Sequence, residues 1–290
     1  MSNVNITKVE ALPAEAQRFV NFLKDLVTNG PEFIKTFLPE LEDYRLGNAD
    51  RYWGYENEEN EKKETYIQEL INASSDMHYG YDTEGKYAEG VTNFLDDYNG
   101  SCFSGEYRLT MVFDDYDYVI KFPIQKTDAC LIESNNYAYA VTENLERFFA
   151  PAYNLGTLAC FEEFGYHGNI YIQKRVEEMI EYSTVPGVDF DLWEYGPIDG
   201  GDYLFDENEY FSAEDAEEFP IFLDEFDTDM LRYVGIVFFL WLHNSESEMH
   251  RLNDFLFEHH INDLHPNNVG FLNGDYHKAP IILDYAGYLG

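Results

Sequence analysis

Two short apolar runs near the end of the chain, Val269-Gly-Phe271 and Ile281-Ile-Leu283, bracket Asn273-Gly274-Asp275, and this arrangement restricts the fold most. Asn-Gly followed by Asp between apolar runs is a hairpin signal, because these residues tolerate the turn's positive φ angles. The polar stretch His259-His260-Ile261-Asn262-Asp263-Leu264-His265-Pro266-Asn267-Asn268 leads into the first run, and Asp284-Tyr285-Ala286-Gly287 follows from the second. A hairpin brings these flanks together, so Asp263, Asn268 and Asp284 are predicted to face one small volume. Two carboxylates and an amide oxygen suit a hard divalent cation together with one general base. His259 and His260 lack the further ligands that a metal site of their own requires and read as structural.

The rest of the composition says what surrounds such a site. The chain has 290 residues, 45% of them apolar and 17% aromatic, with 24 Tyr and 23 Phe. That suffices for one sizeable two-lobed domain with a large core and argues against intrinsic disorder. The net charge is −38, from 18 basic and 56 acidic residues. Such a field repels nucleic acid and anionic membranes and attracts basic partners, so direct nucleic-acid binding is not expected. Cys102, Cys130 and Cys160 show no metal-ligand spacing, and an odd number argues against a disulfide framework. Reduced thiols point to a cytoplasmic protein. Met-Ser-Asn-Val-Asn carries no signal-peptide pattern, and the longest apolar run, Val234 to Leu242, is about half a membrane span.

Taken in order, residues 1–95 read as a helical extension. Pro13-Ala-Glu opens a segment with Phe19, Phe22, Leu23, Leu26 and Val27 at helical spacing, and Asn29-Gly30 closes it. Pro31 starts a second, with Phe33, Ile34, Phe37 and Leu38. Asn99 to Gly105 is small and turn-prone, so it is predicted as a loop. Strands follow at Tyr107–Phe113 and Tyr118–Phe122, joined by a turn at Asp114-Asp115-Tyr-Asp117. Lys121 interrupts the second strand's apolar run, and an unpaired buried ammonium is costly, so it needs a carboxylate. Ile132 to Phe148 fits a helix, and Glu133 at its start is the expected partner, with Glu143 as the runner-up. Tyr153–Phe161 and Asn169–Val176 read as further strands, the second leading into Glu177-Glu178-Met179.

From Glu177 to Leu231 there is no Lys or Arg, and aromatics alternate with Asp and Glu, as in Asp202-Tyr-Leu-Phe-Asp206. The run is either a solvated acidic face or a docking surface for a basic protein. Thr228–His243 is an apolar helix with Leu231, Val234, Val237, Phe238 and Trp241 inward. Ser245-Glu-Ser-Glu248 resembles a capping box that opens the next helix.

These residues together resemble the protein-kinase-like superfamily. Asp263-x4-Asn268 matches the spacing of the catalytic-loop Asp and Asn, and Asp284-Tyr-Ala resembles the Asp-Phe-Gly metal element. Asp-Leu-His-Pro-x-Asn resembles aminoglycoside-phosphotransferase-like and compact bacteriophage-encoded kinases more than eukaryotic ones. The resemblance covers roughly residues 96–287 and implies an α+β, two-lobed fold: an amino-terminal sheet lobe at 96–176 and a mostly helical, truncated lobe at 177–290. It implies transfer of the ATP γ-phosphoryl group to a hydroxyl of protein Ser or Thr, with Asp263 as base and Asn268 and Asp284 on magnesium. It further implies phosphate contacts from Lys121 and from a loop holding Gly100 and Gly105, a Lys121–Glu133 pair, and adenine contact at Met179.

Three departures qualify the match. Asn262 stands where an Arg precedes the catalytic Asp, Ala286 displaces the glycine to Gly287, and the chain ends soon after Gly287. The last implies that a substrate platform comes from the acidic run, the amino-terminal region or another chain, as in a compact phage kinase acting on host proteins. The alternative function is a catalytically weak or inactive acidic binding protein of kinase-like fold that blocks a basic, nucleic-acid-binding partner.

Overall fold

The computed structural model describes residues 5–47, 67, 70, 94, 96–105, 107–125, 127–176, 178–179, 215, 218–219, 221–223, 226, 230–231, 233–271 and 277–287. It is a mixed α and β structure with a five-stranded antiparallel sheet, which is compatible with the α+β class. The chain divides into two compact units, one of Met1–Asn135 with Ala152–Arg175 and one of Asn136–Pro151 with Val176–Gly290. No helix among the described residues is long and apolar enough to cross a membrane.

The first unit opens with helices α1 (Ala14–Asn29) and α2 (Glu32–Leu46). Their limits follow the punctuation in the sequence: Pro13 and Pro31 precede the first turns, and Gly47 ends α2 in the left-handed conformation at φ 74°. Ala16, Phe19, Val20, Leu23, Leu26 and Val27 recur at helical spacing on the buried face of α1. That face belongs to the same core as the sheet residues Leu109, Met111, Phe113, Ile120 and Ile172. Phe22 lies flat on Tyr116 at 4.4 Å and edge-on to Phe113 at 5.0 Å. The amino-terminal helices therefore help to form the sheet's hydrophobic core.

The sheet contains β1 (Gly100–Ser104), β2 (Arg108–Phe113), β3 (Tyr118–Pro123), β4 (Ala152–Asn154) and β5 (Tyr171–Lys174), in the order β1-β2-β3-β5-β4. Helix α3 (Ala129–Glu143) follows β3, and a short helix α4 (Ala159–Glu163) follows β4. Three expectations change here. Gly100–Ser104 is a strand in register with Ser104↔Leu109 and Gly100↔Phe113, not a loop. Its small residues are satisfied by the ladder to β2, and Cys102 turns into the core. The long strand expected at Tyr153–Phe161 stops at Asn154, whose side chain accepts the Gly156 amide at 2.8 Å and turns the chain toward α4. Helix α3 starts at Ala129 rather than Ile132, because Asp128 caps it.

In the second unit, β6 (Glu178–Met179), α5 (Val234–Leu242), α6 (Glu246–Glu258), β7 (Val269–Phe271) and β8 (Ile281–Ile282) are described. The strands form an antiparallel sheet ordered β6-β7-β8. Helix α5 begins at Val234, later than the expected Thr228, and every residue from Val234 to Leu240 is buried. A helix apolar all round belongs inside a core, so the predicted stripe understates its burial. Phe239 meets Phe271 of β7 edge-on at 5.1 Å. Helix α6 is amphipathic, burying Met249, Leu252, Phe255 and Leu256.

The capping box at the start of α6 forms as its spacing predicts. One oxygen of Glu248 accepts the Ser245 amide at 2.9 Å and the Ser245 hydroxyl at 2.8 Å, and the other pairs with Arg147 at 2.6 Å. These bonds, the Ser245 amide first, lower the Glu248 carboxyl from 4.5 to about 2. A depressed carboxylate contributes stability above its unfolded pKa and loses it as pH falls through the folded one. The expected result is a Glu248 side-chain NMR titration with its midpoint near 2, and an acid-unfolding limb between pH 4.5 and 2 that is weaker in Glu248→Gln. A midpoint at the ordinary glutamate value contradicts the capping geometry.

Candidate functional site

In the first unit the site is built on β3. All six residues of this central strand are buried, and Lys121 lies opposite Thr110 of β2 and Tyr171 of β5. Its ammonium donates to both oxygens of Glu133, at 3.1 Å and 2.8 Å. Lys121 is 8% exposed and Glu133 1%. Glu143, the runner-up, is exposed at the other end of α3. Two side chains not anticipated from the sequence complete the shell. Arg108 Nη1 reaches Glu133 Oε2 at 3.2 Å, and Gln173 Nε2 donates to Oε1 at 3.2 Å. Each carboxylate oxygen thus accepts two hydrogen bonds, which a buried anion requires.

The first turn of α3 is fixed where it carries Glu133. Asp128 Oδ1 accepts the Leu131 amide at 2.9 Å, a normal amino-terminal cap, while Oδ2 accepts the Tyr171 hydroxyl at 2.6 Å. Burial and the Asp128 charge both push the Tyr171 phenol up, so it remains a donor. Burial likewise pushes up the thiol of Cys130, removing it as a nucleophile at neutral pH. An Asp immediately before an apolar helical segment is a legible cap signal, and Asp128 is recognisable on that ground.

The two glycines expected to share a phosphate loop do not share one. Gly100 starts β1 opposite Phe113, whereas Gly105 follows the other end of the strand and donates its amide to the Arg108 carbonyl at 3.0 Å. Of the pair, only Gly105 lies at the β1–β2 turn.

In the second unit the polar loop and the β7–β8 pair meet as expected. Val269 pairs with Ile282 and Gly270 with Ile281. Residues 277–280, just before β8, belong to neither strand, and Asn273-Gly274-Asp275, the expected turn, lies outside the described residues. Pro266–Asn268 forms a 3-10 turn that leads directly into β7. Asn268 is 9% exposed, and its Nδ2 donates to the Asp263 carbonyl at 2.7 Å and lies 3.1 Å from His265 Nε2. Its own carbonyl accepts the amide of Leu283 at 2.8 Å, the residue before Asp284. With the amide nitrogen committed, Oδ1 is the Asn268 side-chain atom suited to accept a hydrogen bond or to ligate a cation. The Asp263 carboxylate is half exposed, 3.9 Å from His265. The half-buried Asp284 accepts the Ala286 amide at 3.3 Å. Met179 lies in β6 opposite Gly270. The acidic run, with its expected docking surface, lies outside the described residues except for a few scattered positions.

One further set of potential metal ligands occurs among the described residues. Ligand atoms of Glu143, Glu258 and His259 lie within 4.8 Å of one another, and the His259 ring stacks on Tyr139 with centroids 4.9 Å apart. Both carboxylates are exposed, and the ring contact accounts for the position of His259 without an ion.

No family model matches the chain, and no curated protein or solved structure matches it.

Proposed function

We propose that the chain is a kinase-like phosphotransferase of two-lobed fold that moves the γ-phosphoryl group of ATP to a protein Ser or Thr hydroxyl, using magnesium. The observation that carries this reading is the buried pair of Lys121 and Glu133, held by Arg108 and Gln173. Such a pair has a weak stability rationale, because well-packed apolar residues of similar volume usually do as well or better. Its presence on the central strand instead suits a lysine held ready for the α- and β-phosphates of a nucleotide. Asn268 adds to this, since its nitrogen is committed to the loop and its oxygen is suited to a hard cation. Asp284 would supply the second protein oxygen, and Asp263 would orient and deprotonate the acceptor hydroxyl. Metal and positioning supply most of the rate in such a reaction.

ATP with magnesium is expected to raise the melting temperature by mass action, as for any ligand that binds only the native state. Lys121→Ala and Asp284→Ala should lose most of the shift while still melting cooperatively. An unchanged wild-type curve at millimolar ATP and magnesium sinks the enzyme reading. The net charge of −38 would then favour the binding module, an acidic protein that occupies a basic partner.

A further inference from the structure

Tyr285 follows the proposed metal ligand Asp284 and is held at both ends. Its ring is wholly buried and meets Phe149 edge-on at 5.0 Å, and its hydroxyl donates to the carbonyl of Ala150. Its own carbonyl accepts Nδ2 of Asn136 at 2.7 Å, from an α3 side chain only 5% exposed. The residues on either side are tied as well. The Ala150 amide donates to the Ile282 carbonyl at 2.9 Å, and the Leu283 amide to Asn268 at 2.8 Å. Gly287, at φ +79°, lies so close to the His260 carbonyl that an added Cβ would stand 2.2 Å from its oxygen.

We infer that Asn136 and Tyr285 are positioning residues that clamp the segment from Asp284 to Gly287 in one conformation, so that Asp284 is set in place without an activating event. The physical reason is that moving the segment withdraws a buried carbonyl from Asn136 and a buried hydroxyl from Ala150. Neither group would regain water within that core, so each would carry the full penalty of an unmade hydrogen bond. Phenylalanine at position 285 would fill the same space without the second tether. The role of the clamp toward a metal rests on the phosphotransferase reading; the clamp itself does not.

Hydrogen exchange of the full chain tests it. In the wild type, amides from Ile282 to Gly287 are expected to exchange slowly, and equally so with and without ATP and magnesium. Tyr285→Phe and Asn136→Ala are each expected to speed that exchange roughly ten-fold, about the effect of losing one buried hydrogen bond, while β2, β3 and β5 exchange as before. The conservative Tyr285→Phe decides the question if Asn136→Ala fails to fold. Fast exchange of this segment in the wild type, protection that appears only with nucleotide, or variants with unaltered exchange would each overturn the clamp. A second readout addresses the metal: Asn136→Ala should raise the magnesium concentration needed for the ATP-dependent melting shift by roughly ten-fold. No shift in the wild type overturns the phosphotransferase reading, and exchange alone then decides the clamp.

Discussion

Glu133→Ala is expected to lower the stability of the protein by about 3–5 kcal/mol, the usual cost of removing one partner from a buried charge network. Lys121 and Arg108 both lose the carboxylate they share, and Lys121 is too deeply buried to recover water. Glu133→Gln keeps the shape and part of the hydrogen bonding, so its loss should be smaller. Replacing Lys121, Glu133 and Arg108 together by Met, Leu and Met should recover most of the deficit, since packed apolar groups carry no desolvation penalty. Urea unfolding at neutral pH measures all three. A Glu133→Ala cost below about 1 kcal/mol would mean that the pair behaves like a solvated surface bridge. The proposal that the pair is retained for chemistry would then lose its physical basis.

Asp263→Asn is expected to leave nucleotide affinity nearly unchanged and to slow phosphoryl transfer by about 10²–10⁴-fold, the range that a positioned general base supplies. Its carboxylate is half exposed and makes no tight ion pair, so the substitution should not disturb the loop. The Asp263 group that holds Asn268 is the backbone carbonyl, which the variant retains. Transfer rate and nucleotide affinity measured on the same preparation separate the two effects. If transfer survives at the wild-type rate, Asp263 is not the base. If an effect on a basic partner survives while transfer is lost, the protein acts on that partner by binding.

Much of the local structure could be read from particular residues. Pro13, Gly30 and Pro31 mark the ends of α1 and the start of α2, and Ser245 with Glu248 marks the start of α6. A lysine in an apolar strand implies a nearby carboxylate, and Glu133 is on it. What escaped the sequence depends on distant partners. Arg108 and Gln173 reach Glu133 only because β2, β3 and β5 pair in one register, and periodicity says nothing about which strands become neighbours. β1 is too poor in branched and large residues to announce itself; its strand character comes from the ladder to β2. Asn136 and Tyr285 meet across 149 positions, beyond the reach of any local signal.

The position of Lys121 also bears on how the chain can assemble. Lys121 and Glu133 are 12 residues apart, whereas Gln173, on the neighbouring strand, is 40 residues from Glu133. The entropy lost on closing a loop grows with the logarithm of its length, so the two charges come together at lower cost than the strand that walls them in. The β3–β5 register joins Lys121 to Tyr171, which closes the longer loop. Along the folding path the ammonium can therefore be neutralised before it is dehydrated, and the chain need never pass through a state with a bare cation in its core.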